Sequence, residues 1–254
     1  MKLTFLGTAS GMPNLDRNPS AILVEIADGA FLLDAGEGAA RSMLRFGIAA
    51  DRIDAVFISH THPDHAAGIP GLLQWMQLCG RTKPLSVFLP AGILRRFKSV
   101  IPAFLLNQGK WTFKFHLFQM GGGTVYEKDE FRIEAVPNNH LAPGRTYEEQ
   151  LKKGLDSLSF CIHESIDRKA VYTSDVDGLD HLGAVAAMAN VLISECQHVE
   201  VEDVLDFARQ NRIGRVVFTH IPREMKPPGA VASGRERGDG LTVAFAKDGD
   251  AFEV

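Results

Sequence analysis

The stretch richest in chemistry is His60-Thr61-His62-Pro63-Asp64-His65. It offers three imidazoles and a carboxylate, nitrogen and oxygen donors that suit zinc, manganese or iron. Its spacing has a mechanical meaning. His60 and His62 stand two apart on an extended segment, so both side chains point the same way and can chelate one ion. Asp64 and His65 come after the turn at Pro63 and can face a second ion. The stretch directly follows Asp54–Ser59, which reads as a buried strand. Ligands collect at the C-terminal ends of strands in α/β sheets, because loops converge there.

Two neighbouring ions need more donors, and the same arrangement recurs. His140 closes the run FRIEAVPNNH, Asp175 follows YTS, and His220 follows VVFT. Each lies just beyond a β-rich run. Asp175 is the natural carboxylate to bridge two ions.

The elements needed to position these donors can be read from periodicity. Early strands are expected at Leu3–Gly7, Ala21–Ile26 and Ala30–Gly36, with Asp28-Gly29 turning a hairpin. Further strands are expected at Leu85–Leu89, Thr112–Phe118, Phe131–Val136, Ser157–His163, Ala170–Thr173, Val191–Ser194, Val216–Thr219, Leu241–Ala246 and Ala251–Val254. Helical pattern covers Glu37–Phe46, Ile69–Cys79, Ile93–Leu106, Asp180–Ala189 and Val201–Gln210. Strands come in bunches and then alternate with helices, which predicts packed sheets with helices outside. Two segments, Leu141–Asp156 and Glu224–Gly240, read as long loops.

Composition excludes several classes. Of 254 residues, 45% are hydrophobic and 23% charged, which rules out a disordered, collagenous or coiled-coil chain. Net charge is −4, so no overall positive field gathers nucleic acid. Cys79, Cys161 and Cys196 are far apart and read as free thiols of a reducing compartment. No apolar run reaches the roughly 20 residues that span a bilayer, and the first ten residues lack a signal peptide's apolar centre. A cytoplasmic protein without membrane contact is expected, with residues 1–254 forming a single domain.

The motif HTHPDH resembles the H-x-H-x-D-H signature of the metallo-β-lactamase superfamily, and LLDAGEG at Leu32–Gly38 resembles the segment carrying its early aspartate, here Asp34. His140, Asp175 and His220 stand in the order of its later motifs. The resemblance implies an α/β fold, a four-layered αβ/βα sandwich with a dinuclear metal site at the sheet edge. FLGTASGMPNLDRNPSAILVE, LLDAGEGAARSMLRFGI and SECQHVEVEDVLDFARQNRIGRVVFTHIPR resemble the ribonuclease Z and phosphodiesterase branch. There a histidine lies 22 residues before the last metal-binding histidine, and His198 matches it.

The resemblance implies two divalent ions, zinc first, with manganese or iron as alternatives. His60, His62 and His140 are expected to hold one ion, and Asp64, His65 and His220 the other, with Asp175 bridging. Asp64 would also orient the attacking hydroxide. His198 would stabilise the scissile phosphate or protonate the leaving oxygen, and Glu195 would orient an imidazole. The expected activity is hydrolysis of phosphodiesters in small or nucleotide-like substrates. The alternative is a carboxylic ester, thioester or lactone hydrolase. Ribonuclease Z inserts a long arm between the motifs matching His140 and Asp175, and here only 34 residues lie between those two. Transfer RNA is therefore not expected as a partner, and 3'-end endoribonuclease action ranks last. A homodimer is compatible with the sequence. Substrate-binding residues are unassigned. His116, His163 and His181 read as ordinary sheet and helix-start residues, Leu72, Trp75 and Met76 as core, and Arg223, Lys226, Arg235 and Arg237 as a solvated loop.

Overall fold

A computed structural model describes residues 1–141, 156–226, 235–236 and 240–254. The fold is α/β, built from two mixed sheets with helices. The chain divides into two compact units, Met1–Met120 with Asp248–Glu253, and Gly121–Lys247 with Val254.

The first unit holds a seven-stranded sheet. Its strands are β1 (Lys2–Gly7), β2 (Ala21–Ile26), β3 (Gly29–Leu33), β4 (Ala55–Phe57), β5 (Leu85–Pro90), β6 (Phe115–Met120) and β15 (Ala251–Glu253), in the order β15-β1-β2-β3-β4-β5-β6. The β1–β3 meander is antiparallel, and β3 to β6 run parallel. The β2–β3 hairpin turns at Ala27-Asp28, one residue before the expected Asp28-Gly29, because Gly29 pairs with Ile26 as the first residue of β3. Every residue of β4 is buried, as expected of a strand inside a parallel sheet. Helices α1 (Ala39–Arg45), α2 (Pro63–Ala66), α3 (Ile69–Leu78) and α4 (Leu94–Ala103) belong to this unit. Met43, Ile69, Leu72 and Met76 from α1 and α3 pack with Leu23, Leu32, Val56 and Val87 of the sheet.

Backbone conformation moves some boundaries. The helix expected from Glu37 begins at Ala39, because Gly38 is left-handed with φ 84° and cannot lie inside a helix. The helix expected to reach Leu106 stops at Ala103, and Leu105 takes φ 56°. The strand expected from Thr112 begins at Phe115, after a 3-10 turn at Gln108–Lys110.

Arg81 carries a role its sequence neighbours do not announce. It is 0% exposed, and its guanidinium donates to the carbonyls of Ala50, Ile53 and Pro84, the last two at 2.7 Å. The planar fork thereby ties together the loops that precede β4 and β5. Truncation would leave buried carbonyls without donors and a void beside Phe113, whose ring lies 5.7 Å from the guanidinium carbon. Arg81→Ala is expected to cost about 3 kcal/mol or more, read as a lower urea midpoint. Arg81→Lys recovers only part of it, since an ammonium lacks the fork.

The second unit holds an eight-stranded sheet. Its strands are β7 (Gly123–Lys128), β8 (Phe131–Pro137), β9 (Leu158–Ser165), β10 (Arg168–Tyr172), β11 (Val191–Ser194), β12 (Arg215–Phe218), β13 (Arg235–Glu236) and β14 (Thr242–Phe245), in the order β13-β14-β12-β11-β10-β9-β8-β7. From β7 to β10 the pairing is antiparallel, and from β10 through β11 and β12 to β14 it is parallel. Val171, Leu192, Val216 and Phe218 form its core with Leu182, Val204 and Leu205. The last two lie on α6 (Val201–Gln210), which follows α5 (Gly183–Ala186). The expected helix Asp180–Ala189 is a 3-10 turn, Asp180–Leu182, running into α5, and Met188 at φ 58° prevents its extension. Strand β7 escapes sequence reading because it is a half-exposed edge strand without apolar alternation. Of the two expected loops, residues 142–155, 227–234 and 237–239 lie outside the described residues, and β13 falls within the second. Among the described residues no helix is long and apolar enough to cross a membrane.

Candidate metal centre

In the first unit the donors stand on the loop after β4. Pro63 occupies the first turn of α2, where its missing N–H costs nothing, and His62 caps that helix with extended backbone. His60 and His65 are 0% exposed. His60 Nε2 and His62 Nδ1 face each other at 3.1 Å. Two imidazole nitrogens bound about 2.0–2.1 Å from one tetrahedral ion stand roughly 3.3 Å apart, so this pair is spaced for chelation. Asp64 Oδ2 lies 3.5 Å from His65 Nε2.

Asp34, at the end of β3, orders this loop. Its Oδ1 accepts from the Ser59 N–H at 2.8 Å, and its Oδ2 accepts from Ser59 Oγ at 3.0 Å and from His65 Nδ1 at 2.8 Å. Ser59 Oγ in turn lies 3.1 Å from His60 Nδ1. With both Nδ1 atoms engaged, His60 and His65 turn their Nε2 atoms to a ligand, the carboxylate–histidine relay common around metals. Asp34 itself sits at φ 59°, a left-handed backbone that places its carboxylate under the loop. The backbone is stapled as well, by Ala35 N–H to His65 O at 2.7 Å and Gly68 N–H to Ala35 O at 2.9 Å. A Cβ on Gly68 would overlap the Gly36 carbonyl, so only glycine permits that approach. A cavity of about 260 Å³ reaches Asp64 and is lined by Arg17, Asn18 and Arg41 among others. Asp34→Asn is expected to weaken metal binding about 10- to 100-fold, measured by competition with a chromophoric chelator.

In the second unit Asp175 and His220 follow β10 and β12, each 2% exposed, and His140 follows β8. Ser174 and His220 adopt φ 53° and 51°, so the chain bends sharply where these side chains emerge. The two oxygens of Asp175 divide between imidazoles: Oδ2 is 3.7 Å from His140 Nε2, and Oδ1 is 3.4 Å from His220 Nε2. His140 is fixed by an Asx turn, its N–H donating to Asn138 Oδ1 at 3.2 Å. Asn138 Nδ2 donates to Ser159 Oγ at 3.2 Å, and Ser159 Oγ donates to Thr173 O at 2.6 Å. That chain joins the His140 loop to the strand end before Asp175.

Glu195 is fully buried. Its Oε1 accepts from Val176 N–H and His198 Nδ1, both at 2.9 Å, and its Oε2 accepts from the N–H groups of Gln197 and His198, both at 2.8 Å. Burial alone would push the Glu195 carboxyl up, but the imidazoles of His198 and His220 outweigh it and hold it at about 2. The Glu195 hydrogen bond raises His198 above the ordinary imidazole value, against the pull of its partial burial. Burial lowers His140, although Asp175 opposes it. Donor atoms of Asp175, Glu195, His198 and His220 all lie within 4.8 Å of one another.

Each unit thus gathers its own share of the sequence-identified donors: His60, His62, Asp64 and His65 in the first, and His140, Asp175, His198 and His220 in the second. Both sets are hard or borderline nitrogen and oxygen donors with buried hydrogen-bonded supports, and they fit divalent zinc or manganese. The motif resemblance marks Asp34 as the early aspartate without giving it a role, and it leaves Ser59 unmarked. The signal was present, since Asp34 closes a strand just as Asp175 does. Among the remaining histidines, His116 and His163 lie on strands and His181 in a 3-10 turn, as expected. Arg237 and the side chain of Arg235 lie outside the described residues.

Residues 1–205 match the family model described as Anti-Pycsar protein Apyc1. The chain is 37% identical over 142 residues to a Ribonuclease Z of Methanothermobacter thermautotrophicus, covering 55% of this chain and 45% of that protein. It thus spans about half the length of that relative. With a Ribonuclease Z of Natronomonas pharaonis it is 26% identical, covering 100% of this chain and 98% of the other. Human tRNase Z, short form, has the same fold at TM-score 0.76 and 21% identity, with 100% of this chain and 99% of that one covered. The metallo-β-lactamase fold protein YhfI of Bacillus subtilis matches at TM-score 0.78 and 20% identity, over 99% of this chain and 98% of its own. These relatives overturn one expectation. The short separation of His140 and Asp175 does not set transfer RNA aside as a partner, because chains named Ribonuclease Z align with this one, in one case along its whole length.

Proposed function

We propose phosphodiester hydrolysis for this chain, which belongs to the Anti-Pycsar protein Apyc1 family and to the ribonuclease Z-like branch of metallo-β-lactamase-fold hydrolases. The observation that carries the reading is the exposed His198 imidazole held by the buried Glu195 carboxylate, beside Asp175 and His220. An alkoxide leaving a phosphate benefits from such a proton donor.

His60, His62 and His140 would hold one divalent ion, and Asp64, His65 and His220 a second, with Asp175 between them. Zinc is the first choice, manganese or iron the alternatives. When bound, such ions supply an activated water and stabilise charge on the phosphoryl oxygens. The rest is work for this chain's own side chains. Asp34 and Ser59 keep His65 and His60 in the tautomers that bind. Asp64 orients the attacking water as well as ligating. Glu195 accepts from Nδ1–H of His198 and favours its imidazolium form, whose Nε2–H would supply the proton given to the leaving oxygen, leaving a neutral imidazole. Arg17 and Arg41, in the cavity beside Asp64, have the charge to hold a substrate phosphate.

Small cyclic or nucleotide-like phosphodiesters are the preferred substrates. A second reading, ribonuclease action on RNA, is favoured by the full-length similarity to the Natronomonas pharaonis Ribonuclease Z. Residues 1–254 act as one module in either reading, and three free cysteines suit a cytoplasmic setting. The deciding assay offers metal-loaded protein bis(p-nitrophenyl) phosphate, cyclic nucleotides, RNA with extended 3' ends, thioesters and lactones. Turnover of phosphodiesters supports the proposal, and the split between nucleotides and RNA ranks the two readings. Turnover of carbonyl substrates alone rejects both.

A further inference from the structure

Apart from the donors assigned to the hydrolytic centre, the second unit carries another cluster of metal-ligating side chains. Glu134 on β8 pairs across the sheet with Cys161 on β9. His163 lies two residues further along β9, on the same face as Cys161. Cys161 Sγ is 3.2 Å from His163 Nε2, and that nitrogen is 3.8 Å from Glu134 Oε1. All three ligand atoms lie within 4.8 Å of one another. We propose that Glu134, Cys161 and His163 form a separate site for one thiophilic divalent cation of the zinc class.

The spacing is that of a tetrahedral site. With bonds of about 2.3 Å to sulfur and about 2.0–2.2 Å to nitrogen and oxygen, donors stand roughly 3.3–3.6 Å apart. The separations of His163 Nε2 from Cys161 Sγ and Glu134 Oε1, 3.2 and 3.8 Å, need shifts of only a few tenths of an ångström. Regular strands hold all three residues, so the geometry rests on the sheet ladder. Three protein ligands leave a fourth position for water. Next to His163 a cavity of about 930 Å³ opens, where Glu127, Asp129, Glu130 and Asp167 outnumber Arg132 and Lys169. That acidic excess draws cations towards the site.

Two features set its selectivity. Arg132 Nε donates to Glu134 Oε1 at 2.8 Å, so an incoming ion must displace or share that oxygen. Cys161 is fully buried, and burial pushes its thiol up to about 12, so without a cation it keeps its proton. On binding, the S–H bond breaks, a metal–sulfur bond forms and one proton passes to solvent, with no change of oxidation state. Only a metal with a strong preference for sulfur drives that exchange, which selects zinc-like ions over magnesium or calcium.

Cobalt(II) loading tests the site directly. The donors proposed for the hydrolytic centre are all nitrogen and oxygen, so a thiolate-to-cobalt charge-transfer band in the near ultraviolet reports this cluster. The band is expected in the wild-type protein and in the Cys79→Ser, Cys196→Ser double variant. Cys161→Ser should lose the band and one bound metal per chain, while phosphodiesterase turnover is retained. Should the serine variant not fold, His163→Ala, at a partly exposed position, carries the same expectation. No thiolate band in the wild type, or one that survives both Cys161→Ser and His163→Ala, overturns the proposal. The outcome is independent of the substrate of the hydrolytic centre.

Discussion

Replacing Asp175 with asparagine is expected to lower kcat/KM for bis(p-nitrophenyl) phosphate by about 10³-fold, since several kcal/mol of transition-state stabilisation is at stake and each 1.36 kcal/mol is a decade. Asp175 presents one oxygen towards His140 and the other towards His220. An amide keeps the shape but offers one weak acceptor and a donor in place of two anionic oxygens. The second unit's donors then lose the carboxylate that two cations would share. Metal content should fall along with activity, while near-ultraviolet circular dichroism stays that of the folded protein. A loss below tenfold, with both metals retained, would remove Asp175 from the centre of the mechanism.

Removing the His198 imidazole is expected to lower kcat by about 10²- to 10⁴-fold on a phosphodiester with an alkoxide leaving group. On p-nitrophenyl esters the loss should be much smaller, because p-nitrophenolate departs without a proton. That contrast separates proton donation from simple disruption of the site. The pH profile provides a second readout. His198 acts in its protonated form, and the Glu195 hydrogen bond raises its pKa. Activity that depends on the acid is therefore full below that pKa and falls as pH rises through it. In Glu195→Gln the support is weakened, the pKa of His198 drops, and the alkaline limb of kcat moves to lower pH. If His198→Ala costs the same on both leaving groups, and the limb stays in place in Glu195→Gln, His198 is not the proton donor.

Much of the architecture could be read in advance because its signals are local. The HTHPDH loop follows a fully buried three-residue strand, and helix Val201–Gln210 appears with the boundaries its periodicity implies. The hairpin between β2 and β3 forms beside the Asp-Gly signal, turning one residue early at Ala27-Asp28. Elements that lacked such signals were missed or misplaced. Strand β7 buries little and shows no alternation, and the stretch after Asp180 breaks into a 3-10 turn and one short helix. Arg81 is charged and sits in a polar stretch, so nothing nearby betrays that it is fully buried on three carbonyls.

The functional reading divides along the same line. Donor identity is a property of side-chain chemistry, so the sequence alone singles out the candidate donors: His60, His62, Asp64, His65, His140, Asp175 and His220. Family relationship was legible for the same reason, because motif order survives in the chain itself. Tertiary structure alone decided what supports those donors. Asp34 and Ser59 are 25 residues apart in sequence, and only the pairing of β3 with β4 brings the carboxylate beneath the histidine loop. The Glu134–Cys161–His163 cluster likewise exists only in the register of β8 against β9. A hydrogen bond or a chelate depends on distances of a few ångströms, and those are set by which strands lie side by side.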